Sequence, residues 1–301
     1  MKFSVFQVSR KGGRVRNEDR MGYCYTRESA LFILADGMGG HPGGDLAAQL
    51  ALQTLATRFQ REATPRVGCP ATFLATALIA AHQAITRSAH SQGLADPART
   101  TLVAALAQGG ALTWIHCGDS RLYLLRSGHL LARTRDHSYA AHQVQAARGQ
   151  EALQRNLLFT CLGSPSHPIH DLGGPVRLHQ QDRFLLCSDG LWDSLPEAVI
   201  LQRLQALPVN EAVPQLAEEA LRAGGPHSDN VTLIAVEWET PAASDSCHGV
   251  STEGLSQGVF ASTIQCGVSQ AQEAAADDLD DAAIERSIAE INEAIRRLRG
   301  S

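Results

Sequence analysis

The sequence predicts an α+β protein built from two mainly antiparallel sheets flanked by helices. Many short, apolar, β-prone runs meet at short turns, which is typical of antiparallel strands. Two long helical patterns lie between residues 43 and 92, and shorter ones occur later in the chain. Since each sheet must bury an apolar face, a layered arrangement of sheets and helices is expected.

The individual elements follow from the hydrophobic periodicity. Strands are expected at residues 2–9, 20–26, 30–35, 101–108, 111–117, 120–126, 129–133, 182–188 and 230–238. Helical patterns cover residues 43–61, 70–92, 137–147, 196–206 and 209–223. The chain has 301 residues, of which 44% are hydrophobic, and this is ample for one large core.

Composition favours a soluble cytoplasmic protein. No apolar stretch approaches the ~20 residues needed to span a bilayer, and the chain starts with a strand-like segment rather than a signal peptide. The formal charge of −5 gives no indication of nucleic-acid binding. The seven cysteines lack paired spacing, so all are expected to be reduced.

Aspartates stand at the ends of several apolar runs. They are Asp36 after residues 31–35, Asp119 after 112–118, Asp189 after 184–188 and Asp229 before 231–236, with Glu18 and Asp19 near the N-terminus. Any one of them is an ordinary turn residue when taken alone. Their repetition at strand ends predicts a cluster of carboxylate oxygens. Such a cluster, without histidine or cysteine pairs, favours Mg²⁺ or Mn²⁺ over Zn²⁺.

Six short motifs, in this order, carry a family resemblance. They are Arg14-x-x-Asn17-Glu18-Asp19, Asp36-Gly37-Met38-Gly39-Gly40-His41, Thr100-Thr101-Leu102, Gly118-Asp119-Ser120-Arg121, Ser188-Asp189-Gly190-Leu191 and Asp229-Asn230. The sequence resembles the bacterial PP2C-type (PPM family) serine/threonine phosphatases over residues 1–239. Each motif is weak alone, but their common order is specific. The resemblance implies a four-layer α-β-β-α sandwich with metals at one end of the sheets.

The resemblance also implies roles for these residues. Asp36 would bridge two Mn²⁺ or Mg²⁺ ions. Asp189 and Asp229 would complete the shell of one ion, and the Gly37 carbonyl, with water held by Glu18 or Asp19, that of the other. Asp119 matches the position of a weaker third ion.

Arg14 is the candidate phosphate clamp, since a guanidinium fork matches two phosphate oxygens. The alternative is a solvated basic turn, because other cations lie nearby in sequence. Asn17 either orients this loop or forms a simple Asx turn.

The chain departs from the family pattern near the site. Met38 stands where eukaryotic relatives carry a histidine proposed as general acid, and His41 is either a substitute or a turn residue. Arg99 replaces a glycine and Cys161 an arginine. The stretch 137–168 is either a connecting helix or, by resemblance, the substrate flap, with Arg155 and Asn156 near its end.

Composition changes after residue 239. Residues 240–276 are small and polar, which predicts a flexible linker. Residues 277–301 predict an amphipathic helix whose apolar stripe is Ile284, Ile288, Ile291, Ile295 and Leu298. This C-terminal helix either folds back on the catalytic domain, binds a partner or pairs with its own copy.

The resemblance implies a protein phosphatase acting on phosphoserine and phosphothreonine, through a hydroxide that bridges two metal ions. Its partners would be phosphoproteins and an opposing Hanks-type Ser/Thr kinase. No Cys-x₅-Arg loop is present, so no phosphoenzyme is expected. One rival is a catalytically weak binding module that acts through its C-terminal helix. Another is a different two-metal hydrolase, such as a nuclease or a cyclic-nucleotide phosphodiesterase, although these usually use histidine ligands.

Overall fold

The fold is known from a computed structural model that describes residues 1–38, 43–93, 97–139, 158–240, 249–252, 255 and 259–264. Its described strands form two six-stranded sheets, and every pairing between neighbouring strands is antiparallel. Helices cover the outer face of each sheet. The predicted α+β sandwich of four layers is therefore confirmed.

The first sheet gathers strands from both ends of the described chain. Its members are β1 (Lys2–Arg10), β6 (Arg121–Arg126), β7 (His129–Arg133), β9 (Arg183–Cys187), β10 (Val231–Trp238) and β11 (Gly249–Ser251). The strand order is β11-β1-β10-β9-β6-β7. Strand β10 pairs with β1 from Phe3 opposite Trp238 to Arg10 opposite Val231.

The second sheet contains β2 (Arg20–Tyr25), β3 (Ser29–Ala35), β4 (Leu102–Gln108), β5 (Ala111–Cys117), β8 (Asp171–Arg177) and β12 (Ala261–Ser262). Its order is β12-β2-β3-β4-β5-β8. Strand β3 is buried along its whole length, since both of its faces are covered.

Helices α1 (Gly44–Glu62) and α2 (Pro70–Ser91) pack on the second sheet. Helices α3 (Asp189–Trp192), α4 (Glu197–Ala206) and α5 (Val209–Gly224) lie on the first, followed by a 3₁₀ turn at Gly225–His227. Alternate side chains of β3 divide between two cores, as the period of a strand requires. Leu31 and Ile33 face the helices, whereas Phe32 and Leu34 face the opposite sheet.

Three strands were not expected from the sequence. Strand β8 was not predicted because Gly173-Gly174-Pro175 lacks β-branched residues, yet an edge strand tolerates proline. Strands β11 and β12 lie inside the predicted linker and pair with β1 and β2. The prediction of a flexible linker is wrong for these residues, because strands of two or three residues are too short to leave a periodic hydrophobic pattern in the sequence.

Several predicted segments lie outside the described residues. They are the helix at 137–147 beyond residue 139, the C-terminal helix at 277–301, and the residues His41, Arg155 and Asn156. Within the described part of the chain, no helix is both long and apolar enough to cross a membrane. The described cysteines, which are Cys24, Cys69, Cys117, Cys161 and Cys187, form no disulfide bond with one another.

Candidate active site

Strand ends from both sheets converge on one open cleft of about 430 Å³. Asp36 follows β3, Asp119 lies in the turn between β5 and β6, Asp189 opens α3 directly after β9, and Asp229 precedes β10. The lining residues are Arg14, Val15, Arg16, Glu18, Asp36, Gly37, Met38, Thr101, Asp119, Leu158, Asp189, Asp229 and Asn230. The structure thus brings together all the described candidate residues, although Asp19 is buried beside Asp36 and does not itself line the cleft.

Mutual repulsion and burial perturb the carboxylates of the cleft. Burial raises the pKa of Asp36 well above its usual value, and the neighbouring carboxylates of Asp19 and Asp189 raise it further. Burial and the carboxylate of Asp119 do the same to the pKa of Asp189. Burial, followed by the charge of Asp136, raises the pKa of Asp119 to about 7. Such a set of desolvated like charges favours a bound cation.

Asp19 supplies a second sign of a cation site. The Ser188 hydroxyl donates to Asp19 Oδ2 at 2.8 Å, whereas Oδ1 is buried and has no hydrogen-bond partner among the described residues. Burial raises the pKa of Asp19 to about 6, against the effect of hydrogen bonds from Thr232 and Ser188. A buried carboxylate oxygen without a donor fits a role facing a hydrated cation.

Gly37 is required by the close approach of three chain segments. A Cβ atom at this position would lie 2.5 Å from the Gly44 carbonyl oxygen and 2.7 Å from that of Glu18. The neighbouring Thr101 hydroxyl accepts the Asp36 backbone N–H at 3.1 Å, and the Thr100 hydroxyl donates to the Asp36 carbonyl at 2.8 Å. These contacts fix the backbone that presents the carboxylate.

Asn230 holds the loop that carries Arg14 and Glu18. Its Oδ1 atom accepts the Glu18 backbone N–H at 2.9 Å, and its Nδ2 atom donates to the carbonyls of Lys11 (2.7 Å) and Arg16 (3.0 Å). Sequence reasoning gave this residue no role of its own, although its place beside Asp229 in a recognised motif was the available signal.

Asn17 does both of the things that the sequence left open. Its Oδ1 atom accepts the Asp19 backbone N–H at 3.1 Å, which is an Asx turn. Its Nδ2 atom also donates to the Ser9 hydroxyl at 2.8 Å and so attaches the loop to β1.

Arg14 lies at the mouth of the cleft and is paired with a candidate metal ligand. Its Nε and Nη2 atoms donate to Asp229 Oδ1 at 2.8 Å and Oδ2 at 2.6 Å. The hydrogen bonds to Asp229 raise the pKa of Arg14, with smaller contributions from other carboxylates of the cleft. The Arg14 side chain remains 55% exposed, so an anion from solvent can also approach it.

The acids of the cleft fit a site for two hard divalent cations. Each of these acids offers carboxylate oxygens as metal ligands, and the described lining contains neither histidine nor cysteine. The orphaned Asp19 oxygen and the raised pKa values point the same way. The residues present therefore fit Mn²⁺ or Mg²⁺.

The sequence profile described as protein phosphatase 2C matches residues 9–223. The chain belongs to this family. The serine/threonine protein phosphatase PstP of Mycobacterium tuberculosis is 37% identical to this PP2C chain over 229 residues, which are 74% of the chain and 42% of PstP. The chain therefore spans less than half the length of that relative.

A shorter relative and a solved structure complete the comparison. The serine/threonine phosphatase stp of Listeria innocua is 30% identical over 236 residues, which are 75% of this PP2C chain and 92% of stp. The crystal structure of the PstP catalytic domain with two manganese ions has a TM-score of 0.66 and 35% sequence identity. It covers 78% of this chain and 98% of that one.

Proposed function

We propose that this chain is a metal-dependent protein phosphatase that hydrolyses phosphoserine and phosphothreonine in proteins. The observation that carries the proposal is the cleft in which acids from both sheets meet beside an exposed arginine. The names of the relatives, which are serine/threonine phosphatases, support the same substrate class.

Asp36, Asp189 and Asp229, with the Gly37 carbonyl, would hold two Mn²⁺ or Mg²⁺ ions. Glu18 and Asp19 would act through water, and Asp119 would serve a weaker third ion. When bound, two such ions would lower the pKa of a water that serves as the nucleophile and would neutralise charge on the phosphoryl oxygens.

The chain's own residues would bind and orient the substrate. The Arg14 fork would hold two phosphate oxygens at the mouth of the cleft. Asn230 keeps the Arg14 loop in place through three hydrogen bonds, which reduces the cost of ordering that loop when phosphate binds. Because the cleft is open, a phosphorylated side chain on a protein surface can enter it.

The partners in this proposal are phosphoproteins and a cognate Hanks-type kinase in the cytoplasm. The flap residues Arg155 and Asn156 would contact the substrate.

The test is hydrolysis of p-nitrophenyl phosphate and of a phosphothreonine peptide by the full chain in Mn²⁺, Mg²⁺ or EDTA. Metal-dependent turnover that Asp36→Asn and Asp189→Asn both abolish supports the proposal. Glu218→Gln is the matched control, because it makes the same change of acid to amide on the exposed side of α5. The absence of turnover with either metal would favour the binding-module alternative.

A further inference from the structure

Beside the cleft, two histidines and an aspartate meet near the edge of the second sheet. His116 lies on β5, His137 follows β7 and Asp171 begins β8. A side-chain nitrogen or oxygen atom from each lies within 4.8 Å of the others. Two imidazoles and a carboxylate are a common ligand set for transition metals, so the hydrogen bonds of each group have to be considered first.

Those hydrogen bonds favour a structural role over a metal site. The Gly118 backbone N–H donates to His137 Nδ1 at 3.2 Å, so a neutral His137 carries its proton on Nε2. Nε2 lies 3.3 Å from Asp171 Oδ2 and therefore faces it with an N–H rather than a lone pair. His116 Nε2 lies 2.8 Å from the Arg135 carbonyl, which can only accept. Of the two imidazoles, only His116 keeps an unused lone pair, on Nδ1, and one nitrogen beside a single carboxylate does not make a metal site.

His137 instead connects two walls of the cleft. Its backbone N–H donates to the Gly118 carbonyl at 3.0 Å, which makes the contact with Gly118 reciprocal. Its own carbonyl accepts the Phe159 N–H at 3.1 Å. The residue after Gly118 is Asp119 and the residue before Phe159 is Leu158, and both line the cleft. One residue therefore joins the turn that carries Asp119 to the chain that carries Leu158.

The surroundings make this connection rigid. His137 is 2% exposed, its ring stacks on His116 with centroids 4.5 Å apart, and the Phe159 ring packs against it at 5.4 Å. The preceding Asp136 forms a two-point ion pair with Arg121 at 2.8 and 2.6 Å.

The same ion pair extends the connection to a second candidate ligand, Asp189. The Arg121 guanidinium lies 3.7 Å from the ring centroid of Trp192, a residue of the short helix that begins at Asp189. The hydrogen bonds, the two rings and this ion pair together hold His137 in one position.

We propose that His137 is a positioning residue that sets the spacing between the Asp119 turn and the Leu158 wall. It acts through Gly118 and Phe159 and touches neither substrate nor metal. Its kinetic consequence rests on the proposed phosphatase function: a peptide that fills the space between the two walls depends on their spacing more than p-nitrophenyl phosphate does.

The test compares two substitutions of His137 by amide side chains of different length. In His137→Asn, the side-chain oxygen can occupy the place of Nδ1 and accept the Gly118 N–H. In His137→Gln, the amide reaches the place of Nε2 and leaves the Gly118 N–H without an acceptor. Amide hydrogen exchange is followed in peptides that cover residues 117–121 and 158–162. We expect the rate of amide exchange to rise in both peptides in His137→Gln and to stay near that of the wild type in His137→Asn.

The kinetic readout uses the same proteins in Mn²⁺. We expect kcat/KM for the phosphothreonine peptide to fall on the order of 10- to 100-fold in His137→Gln, as for other residues that orient ligands, with a smaller loss on p-nitrophenyl phosphate. His137→Asn should stay close to wild type on both substrates.

Asp171 provides a second route if the Gln variant does not fold, because its side chain is 61% exposed. Asp171→Lys places a donor against Nε2, which favours the tautomer that cannot accept from Gly118. Asp171→Asn is its control, since an amide oxygen still accepts from Nε2–H. We expect faster amide exchange at residues 117–121 in Asp171→Lys and not in Asp171→Asn.

Unchanged exchange in both His137→Gln and Asp171→Lys would overturn the proposal. The proposal would also be overturned if amide exchange were faster in His137→Gln while kcat/KM was the same for His137→Asn and His137→Gln. The contact between His137 and Gly118 would then be structural only. An inactive wild-type protein would instead refute the phosphatase function, and the exchange data would still report whether His137 holds both walls.

Discussion

Arg14 and Asp229 form a two-point ion pair across the mouth of the cleft, although they are 215 positions apart in sequence. In the proposed mechanism each has a different partner: a phosphate for Arg14 and a metal ion for Asp229. The pair therefore competes with both ligands. Metal binding at Asp229 would release the guanidinium fork and make it available for phosphate.

Arg14→Ala is expected to tighten Mn²⁺ binding while it weakens phosphate binding. A partly exposed ion pair contributes up to about 1 kcal/mol, so the gain in Mn²⁺ affinity should be at most about fivefold. The loss in kcat/KM should be on the order of 10²-fold, as for removal of a preorganised oxyanion donor. Mn²⁺ affinity is measured by electron paramagnetic resonance, and turnover with the phosphothreonine peptide.

Arg16→Ala is the matched control, because Arg16 lines the same cleft and has the same charge. An equal gain in Mn²⁺ affinity in both variants would mean that general charge, and not the Arg14–Asp229 pair, limits metal binding.

The raised pKa values of the cleft acids predict a stability that depends on pH. Folded Asp19, with a pKa of about 6, and Asp119, at about 7, hold their protons more tightly than they would in the unfolded chain. Their contribution to the free energy of unfolding is therefore fully present below about pH 4 and is lost as pH rises to about 7. Thermal unfolding in EDTA should show this loss.

Asp119→Asn should flatten that pH profile relative to wild type, whereas Glu218→Gln should not. Added Mn²⁺ should raise the midpoint temperature more at pH 8 than at pH 5, because protons compete with the metal for the carboxylates. A metal-induced shift of equal size at both values would contradict the assignment of these acids to a cation site.

Asn230→Ala is expected to destabilise the protein and to raise KM for phosphorylated substrates. The substitution removes the partners of one backbone N–H and two carbonyls, and each such hydrogen bond contributes about 0.5–1.5 kcal/mol. Urea unfolding measures the stability and steady-state kinetics the KM. Asn230→Asp keeps the acceptor for the Glu18 N–H but turns a carboxylate oxygen toward the two carbonyls, beside the acids of the cleft, so a loss of stability at least as large as that of Asn230→Ala is expected. A wild-type KM in the Ala variant would show that the Arg14 loop holds its place without Asn230.

The sequence predicted the convergence of aspartates because each stands where an apolar run ends, and strand ends of a sandwich meet at common edges. It did not predict the pairing of Arg14 with Asp229, since this contact depends on how distant segments fold together. Strand β8 was not predicted for a related reason. Its register is set by Trp114, against which a Cβ at Gly173 would clash at 2.2 Å, and not by its own β propensity.

The linker prediction was wrong only for the residues of β11 and β12, and for a related physical reason. Val250 is aligned with Phe3 in the β1–β11 pair, and Ala261 is aligned with Tyr25 in the β2–β12 pair. These short strands pair with an existing sheet, and Val250 and Ala261 pack against the core between the sheets. Strands of two or three residues are too short to leave a hydrophobic pattern of their own. The three hydrogen bonds of Asn230 are equally invisible in sequence, because an asparagine before a strand is also an ordinary turn residue.

Gly37→Ala tests whether the backbone beside Asp36 must be as compact as the structure has it. The added methyl group would lie 2.5–2.7 Å from the backbone atoms of Gly44 and Glu18, and neither can give way as a flexible side-chain end would. The start of α1 or the loop that carries Glu18 must therefore move. We expect Mn²⁺ affinity to fall on the order of tenfold, as for other disturbances of the groups that orient metal ligands.

Gly68→Ala is the control for this substitution, since a Cβ there meets no atom within 4 Å. Circular dichroism would check that both variants fold, and Mn²⁺ binding would be followed by electron paramagnetic resonance. If Gly37→Ala bound Mn²⁺ as tightly as Gly68→Ala, the Gly37 backbone would have no part in holding the metal, and the second ion would have to rely on the surrounding carboxylates alone.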